Sequence, residues 1–180
     1  EYGADVLRVY ILFMGDYASA APWSENSVKG CKRFLDRVAG LCEIAKGEGA
    51  TPALESSFHK TIKKVTRDIE DMKFNTAIAA MMTLVNDIYA YGKITRDELR
   101  ALLVLLNPAA PHITEEIWQI QKLSDKPIYK SEWPTYDEKA MAKSEVEVAV
   151  QICGKVKMKL MVPSAYGKEE TEKFALANAD

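Results

Sequence analysis

The sequence predicts a mainly α protein: an antiparallel helical bundle followed by a small, truncated α+β appendage of a hairpin and a helix. Three observations lead there. Apolar residues recur at helical spacing in successive segments as far as Leu123, Gly and Pro punctuate the breaks between them, and from Val146 the hydrophobic period switches to two.

The first helix, over residues 2–14, is apolar on nearly every face, so strong tertiary cover is expected, and it ends before Gly15. Ser24 caps a second helix running to about Lys46, with Val28, Cys31, Leu35, Val38, Leu41 and Cys42 on one side. That periodicity makes Cys31 and Cys42 core residues and leaves Lys29, Lys32, Arg33 and Arg37 opposite, as a basic outer face. Gly47 and Gly49 break the helix and Pro52 opens a third. There Phe58, Ile62, Val65, Ile69 and Met72 form one face, with Lys60, Lys63, Lys64 and Arg67 across from it.

Asn75 is the expected cap of a fourth helix reaching about Tyr91. Its Ile78, Met81, Met82, Val85 and Ile88, with Ala77, Ala79 and Ala80 permitting close approach, make it the expected most buried helix. Thr95 and Glu98 have capping-box spacing ahead of Leu99, Leu102, Leu103, Leu105 and Leu106 in a fifth helix. Pro108 stops it. Pro111 starts a sixth helix ending near Leu123, in which Ile113, Ile117 and Trp118 recur on one side and Glu115 and Glu116 complement the dipole. Residues 126–137 read as irregular, anchored on the bundle by Trp133 and Pro134, and a linker follows at 140–144.

Beyond the linker, Val146, Val148, Val150 and Ile152, then Val156, Met158, Leu160 and Val162, alternate with other residues and predict a hairpin turning at Gly154. A last helix is expected at 167–177, with Phe174 and Leu176 apolar. One hairpin and one short helix cannot cover both sheet faces, so the appendage reads as truncated.

A length of 180 residues with 48% hydrophobic content suffices for one ordinary domain plus an appendage. The formal net charge of −2 means that any nucleic-acid contact depends on local basic faces, not on an overall positive field. Cys31, Cys42 and Cys153 are odd in number and too widely spaced for a zinc motif, with no secretory signal, which predicts a reducing cytoplasm. No apolar run approaches the roughly 20 residues that cross a bilayer, so a soluble protein is expected. Glu1, in place of an initiator Met, opens straight into a helical pattern, as in an excised fragment.

Catalytic chemistry is not indicated. His59 and His112 are too scattered for a metal cluster, and there is no Ser-His-Asp set and no Gly-rich phosphate loop. His59 reads as a polar helix-edge residue and His112 as a hydrogen-bonding joint residue. Glu115 and Glu116 are adjacent, hence about 100° apart on a helix, and suit a dipole role better than acid-base work.

The basic faces read first as solvated surface, with RNA contact as the sharper alternative. Asp36 and Asp71 weaken their field. For Lys155, Lys157 and Lys159 the two readings are even, because strict strand alternation would project all three to one side, about 7 Å apart. Tyr129, Trp133 and Tyr136 have the chemistry to stack on bases, but their Pro-rich setting favours packing.

The run from Leu106 to Trp118, Leu-Asn-Pro-Ala-Ala-Pro-His-Ile-Thr-Glu-Glu-Ile-Trp, resembles a segment of class I aminoacyl-tRNA synthetases, and in particular of bacterial-type leucyl members. The resemblance covers nearly the whole chain. It includes Glu1-Tyr2-Gly3-Ala4-Asp5-Val6-Leu7-Arg8, Trp23-Ser24 with Gly30 and Arg33-Phe34-Leu35, His59-Lys60-Thr61-Ile62-Lys63-Lys64-Val65-Thr66, Phe74-Asn75-Thr76-Ala77-Ile78-Ala79, and Trp133-Pro134 with Tyr136-Asp137. Where family members usually read Asn-Gly-Lys-Val-Arg-Gly-Lys, this chain has Cys153-Gly154-Lys155-Val156-Lys157-Met158-Lys159.

This resemblance implies the anticodon-binding fold of class I synthetases. Residues 1–16 would join the bundle to an absent catalytic domain, 17–140 would be the tRNA-binding bundle, and 145–180 part of a C-terminal tRNA-binding domain. It further implies a parent enzyme that esterifies leucine to its tRNA, with ATP and magnesium bound in that absent domain; no cofactor, metal or catalytic residue is expected in this fragment. Expected partners are leucine-accepting tRNA and the enzyme's own catalytic domain, in a cytoplasmic, membrane-free monomer. The tRNA-backbone candidates are Lys29, Arg33, Arg37, Lys60, Lys63, Lys64, Arg67, Lys155, Lys157 and Lys159. The alternatives are the corresponding bundle of a valyl, isoleucyl or methionyl synthetase, or a helical protein-interaction module with no RNA role.

Overall fold

The structure, a computed structural model, describes residues 2–15 and 22–141 and the backbone of 145–152 and 155–163. The expected helix at 167–177, the turn at Gly154 and Cys153 lie outside the described residues. Two compact units are distinguished, Glu1–Asp137 and Glu138–Asp180.

The first unit holds six helices: α1 (Ala4–Phe13), α2 (Glu25–Ile44), α3 (Pro52–Glu70), α4 (Phe74–Tyr91), α5 (Arg96–Leu106) and α6 (Pro111–Ile120). Their starts follow local chemistry. Ser24 Oγ accepts from Ser27 N at α2, Pro52 sits in the first turn of α3, and Thr95 with Glu98 closes the expected capping box at α5. The α4 start differs from expectation. Asn75 lies inside the helix and Lys73 holds the N-cap position, because Thr76 bonds Asp68 and the Lys73 carbonyl and so takes over the polar work at this corner.

α3 and α4 pack as an antiparallel pair through a tight turn at Met72, whose φ is +60°. The same turn overturns an expectation for its side chain: Met72 falls past the end of α3 and is 63% exposed, whereas Phe58, Ile62 and Val65 are buried as their spacing predicts. α1 packs on α2 and α4, α2 on α6, and α5 on α3, α4 and α6. α5 is therefore the most enclosed helix, with seven of its eleven residues buried, and α4, with six of eighteen, is not. The outer turns of α4, at Ala79, Thr83 and Asn86, face solvent.

α1 also departs from the expected full cover. Val6, Val9 and Tyr10 enter the core, but Leu7, Ile11 and Met14 are 43%, 49% and 39% exposed. Of the two cysteines assigned to the core, Cys31 is buried, while Cys42 is half-buried and packs against its edge. Burial pushes both thiols above their ordinary pKa.

Buried carboxylates and partly exposed guanidinium groups fix the joints. Glu98, 6% exposed, accepts from Thr51 N at 2.6 Å, Thr51 Oγ1 at 2.9 Å and Thr95 N at 2.9 Å, tying the start of α3 to the start of α5. At α6 the dipole is answered by other helices. Asp5 of α1 accepts from Ile113 N and His112 Nδ1, each at 2.7 Å, while Arg96 and Arg100 of α5 donate to the carbonyls of Gln121, Lys122 and Leu123.

Glu115 and Glu116, expected to serve the α6 dipole, lie beyond its first turn. Glu115 instead accepts from Ile128 N at 3.0 Å, and Trp118 Nε1 donates to the Lys126 carbonyl at 2.9 Å, so α6 organises the irregular segment after it. That segment includes a 3-10 turn at Ile128–Lys130.

In the second unit, β1 (Glu145–Ile152) pairs antiparallel with β2 (Lys155–Pro163), as the period-two pattern predicts.

Candidate nucleic-acid interface

The two basic faces in the first unit are built alike and used differently. On α2, Lys29 pairs with Glu25 at 3.4 Å and Lys32 with Asp36 at 2.6 Å, both on the helix surface. Arg37 is exposed but engaged with α4. Its Nη1 donates to Asn86 Oδ1, its guanidinium lies 4.6 Å from the centroid of the Tyr89 ring, and Tyr89 Oη donates to the Arg37 carbonyl at 2.8 Å. Burial raises the Tyr89 pKa above its ordinary value, against the nearby positive charge of Arg37. Gly40 makes room for this clasp, since a Cβ there would sit 2.7 Å from Tyr89 Oη. Arg33 is exposed and has no ion pair among the described residues.

On α3, Lys64 reaches Asp68 at 2.7 Å and Arg67 lies 3.8 Å from Asp71, again at i,i+4 spacing. Asp68 is 6% exposed and also accepts from Thr76 Oγ1 at 2.6 Å. Burial acts to raise its pKa, but the hydrogen bonds from Lys64 and Thr76 and the charges of Lys64 and Lys73 outweigh that, holding it below the ordinary range. Lys60 is exposed without an ion pair among the described residues. Lys63 places Nζ 5.6 Å from the centroid of the Tyr136 ring.

That last contact belongs to a strap, residues 133–137, lying along α3. Trp133 Nε1 donates to Thr66 Oγ1 at 2.8 Å, and Asp137 N donates to His59 Nδ1 at 3.0 Å. The expected anchoring by Trp133 is thus present, and His59 is the polar helix-edge residue expected of it. His112, bonded to Asp5, is likewise the joint residue its position indicated.

The hairpin corrects the premise for Lys155, Lys157 and Lys159. Gln151 pairs with Val156 but Val150 with Met158, so the register shifts and Lys157 has no partner across the ladder. Lys155 pairs with Ile152 and Lys159 with Ala149, positions three apart on β1 and so of opposite parity. The ladder therefore departs from strict alternation between Lys155 and Lys159.

Sequence reasoning did not find the Arg37–Tyr89 clasp, the Asp5 cap of α6 or the helix that receives the strap. Each joins residues more than 50 positions apart, for which helical periodicity carries no signal. Among the described residues, no three His, Cys, Asp or Glu side chains gather to hold a metal ion, and no helix is long and apolar enough to cross a membrane.

Comparison with known proteins decides the family. Residues 53–172 match the family described as the anticodon-binding domain of tRNA ligases. The chain belongs to this anticodon-binding domain family. Among relatives of this family member, a Leucine--tRNA ligase of Alkaliphilus oremlandii (strain OhILAs) is 50% identical over 163 residues. The alignment covers 90% of this chain and 20% of the relative. Among solved structures, the LeuRS of the Agrobacterium radiobacter K84 ternary complex of LeuRS, tRNA and LeuAMS superposes with a TM-score of 0.76 and 29% identity. There the match covers 98% of this chain and 25% of the other. This anticodon-binding domain chain therefore spans between a fifth and a quarter of the proteins it matches.

Proposed function

We propose that the chain is the tRNA-docking portion of a leucine–tRNA ligase. What carries this is the 50% identity to a Leucine--tRNA ligase across 163 residues, a likeness that favours the leucyl assignment over a valyl, isoleucyl or methionyl one. The whole ligase would attach leucine to its tRNA with ATP and magnesium, as a cytoplasmic monomer. The described residues do not fit a metal site, so no chemical step is assigned to them.

Their part is positioning. Lys29, Arg33, Lys60, Lys63, Lys64 and Arg67 would meet RNA phosphates, as would Lys155, Lys157 and Lys159 of the hairpin. Arg37, held by Asn86 and Tyr89, supports the α2 face more than it offers itself to a ligand. The exposed pair Arg67–Asp71 is no obstacle, because such pairs are worth about 1 kcal/mol or less and phosphate can replace the carboxylate, whereas Lys64 is exposed but tied to the buried Asp68. The uncovered stripe of Leu7, Ile11 and Met14 supports packing of α1 on the ligase's own catalytic domain.

A salt series tests the proposal. Binding of leucine-accepting tRNA to the full ligase should weaken steeply with salt, and reversing charges on α3 should lower the log-log slope by about 0.7 to 0.9 for each phosphate no longer neutralised. Binding indifferent to salt, or a slope unchanged by the reversals, overturns it. Recovery of a protein partner with no tRNA would favour an interaction module instead.

A further inference from the structure

We infer that the strap 133–137 and the neighbouring row of α3 form a composite site for an unpaired stretch of RNA, with bases on Trp133 and Tyr136 and phosphates on Lys60 and Arg67. The inference rests on the RNA-docking reading above and specifies which form of RNA this face takes.

The geometry follows from helix rows. His59, Lys63 and Thr66 stand at i, i+4 and i+7 on α3, and these three residues receive the strap: Asp137 at His59, Tyr136 under Lys63, Trp133 at Thr66. The next row round the helix is Lys60, Lys64 and Arg67. Aromatic rings and cations therefore lie side by side over two turns of helix. Lys60 is exposed, and the side chains of Lys64 and Arg67 are 51% and 79% exposed.

Trp133 ties the strap to α3 by one polar bond, while the apolar anchoring of the segment lies elsewhere. Leu123 and Ile128 upstream are 3% and 2% exposed, and Pro134 lines a separate cleft with Val104, Trp118 and Leu123. Trp133 and Tyr136 remain 36% and 40% exposed. Trp133 is held by one bond at its indole edge and Tyr136 has Lys63 over its ring, yet each keeps more than a third of its surface open to solvent and so forgoes burial that would stabilise the fold. Such rings beside a cationic row match the requirements of unpaired RNA, whose bases offer π-faces and whose backbone offers phosphates. A duplex hides its base faces in the stack and could use the cations alone.

The test is binding of the 180-residue chain to two probes of equal length, single-stranded oligouridylate and a blunt RNA duplex, across a salt series. Single-stranded RNA should bind more tightly. Tyr136→Leu and Trp133→Leu should each weaken it about tenfold, with unchanged salt slope, while leaving duplex binding and thermal melting in place. Trp133→Phe keeps a ring and loses only the bond to Thr66, so it should restore most of the affinity. The double variant Lys60→Glu, Arg67→Glu should lower the salt slope for both probes. Salt-dependent binding that ignores the Leu variants, or that shows no preference for the single strand, overturns the aromatic site and leaves phosphate docking standing. No salt-dependent binding of either probe overturns both.

Discussion

α2 and α3 carry nearly the same message in the sequence, an apolar stripe with four cations across from it, yet their neighbours give the cations different occupations. On α2, Arg37 is drawn into the joint with α4, and Lys29 and Lys32 have carboxylates one turn away. On α3, one of the four, Lys63, lies over the Tyr136 ring of a strap that also bonds His59 and Thr66, and Lys60 and Arg67 stand on the next row. Periodicity reports which face looks outward. It does not report what arrives there from elsewhere in the chain.

The contrast can be broken most severely at the base of α3. Glu98→Ala leaves Thr51 N and Thr95 N without their buried acceptor, and urea denaturation should show a loss of about 2 to 4 kcal/mol. A loss under 1 kcal/mol would mean that water or a neighbour replaces the carboxylate readily.

The next effect is on RNA. Lys60→Glu with Arg67→Glu should weaken tRNA binding to the full ligase about tenfold or more at low salt with little change in melting. Arg37→Gln should do the reverse, lowering stability by about 1 kcal/mol with little change in RNA affinity. Equal RNA losses from the two helices would erase the distinction between them.

Asp68 adds a pH signature to α3. Its folded pKa is below the unfolded value near 3.8, so its contribution is fully present above that value and is lost as pH falls through the folded one. Acid titration of stability should be shallower in Asp68→Asn than in the parent chain, and curves of equal steepness would remove the role. Smaller still, Tyr89→Phe should cost about 0.5 to 1 kcal/mol by losing its bond to the Arg37 carbonyl. Lys29→Gln, at an exposed pair, should stay within about 0.5 kcal/mol.

Much of the bundle was legible because its signals are local. The Ser24 cap, Pro52, the Thr95–Glu98 box and the stripe of Phe58, Ile62 and Val65 each lie within one turn or one face. Where expectation failed, a distant partner or a terminal effect intervened. Asn75 yielded to Thr76 and Asp68; Met72 fell beyond its helix; Glu115 turned to Ile128; α5, not α4, took the centre because α3, α4 and α6 close around it. The candidate site divides the same way. Its cations could be named from spacing, but the fate of Arg37 and the placing of Trp133 at Thr66 and Tyr136 at Lys63 required the fold. The bulge at Lys157 had no sequence counterpart, since the alternation of apolar residues continues through it.

The Asp5 cap of α6 has a consequence for folding order. Ile113 N meets its acceptor across 108 positions of chain, so the cap on the first turn of α6 cannot be made until α1 has docked. Amide exchange at Ile113 should thus report the opening of α1 at the far end of the sequence, and any motion that lifts α1 should fray α6 before the Leu-rich centre of the bundle yields.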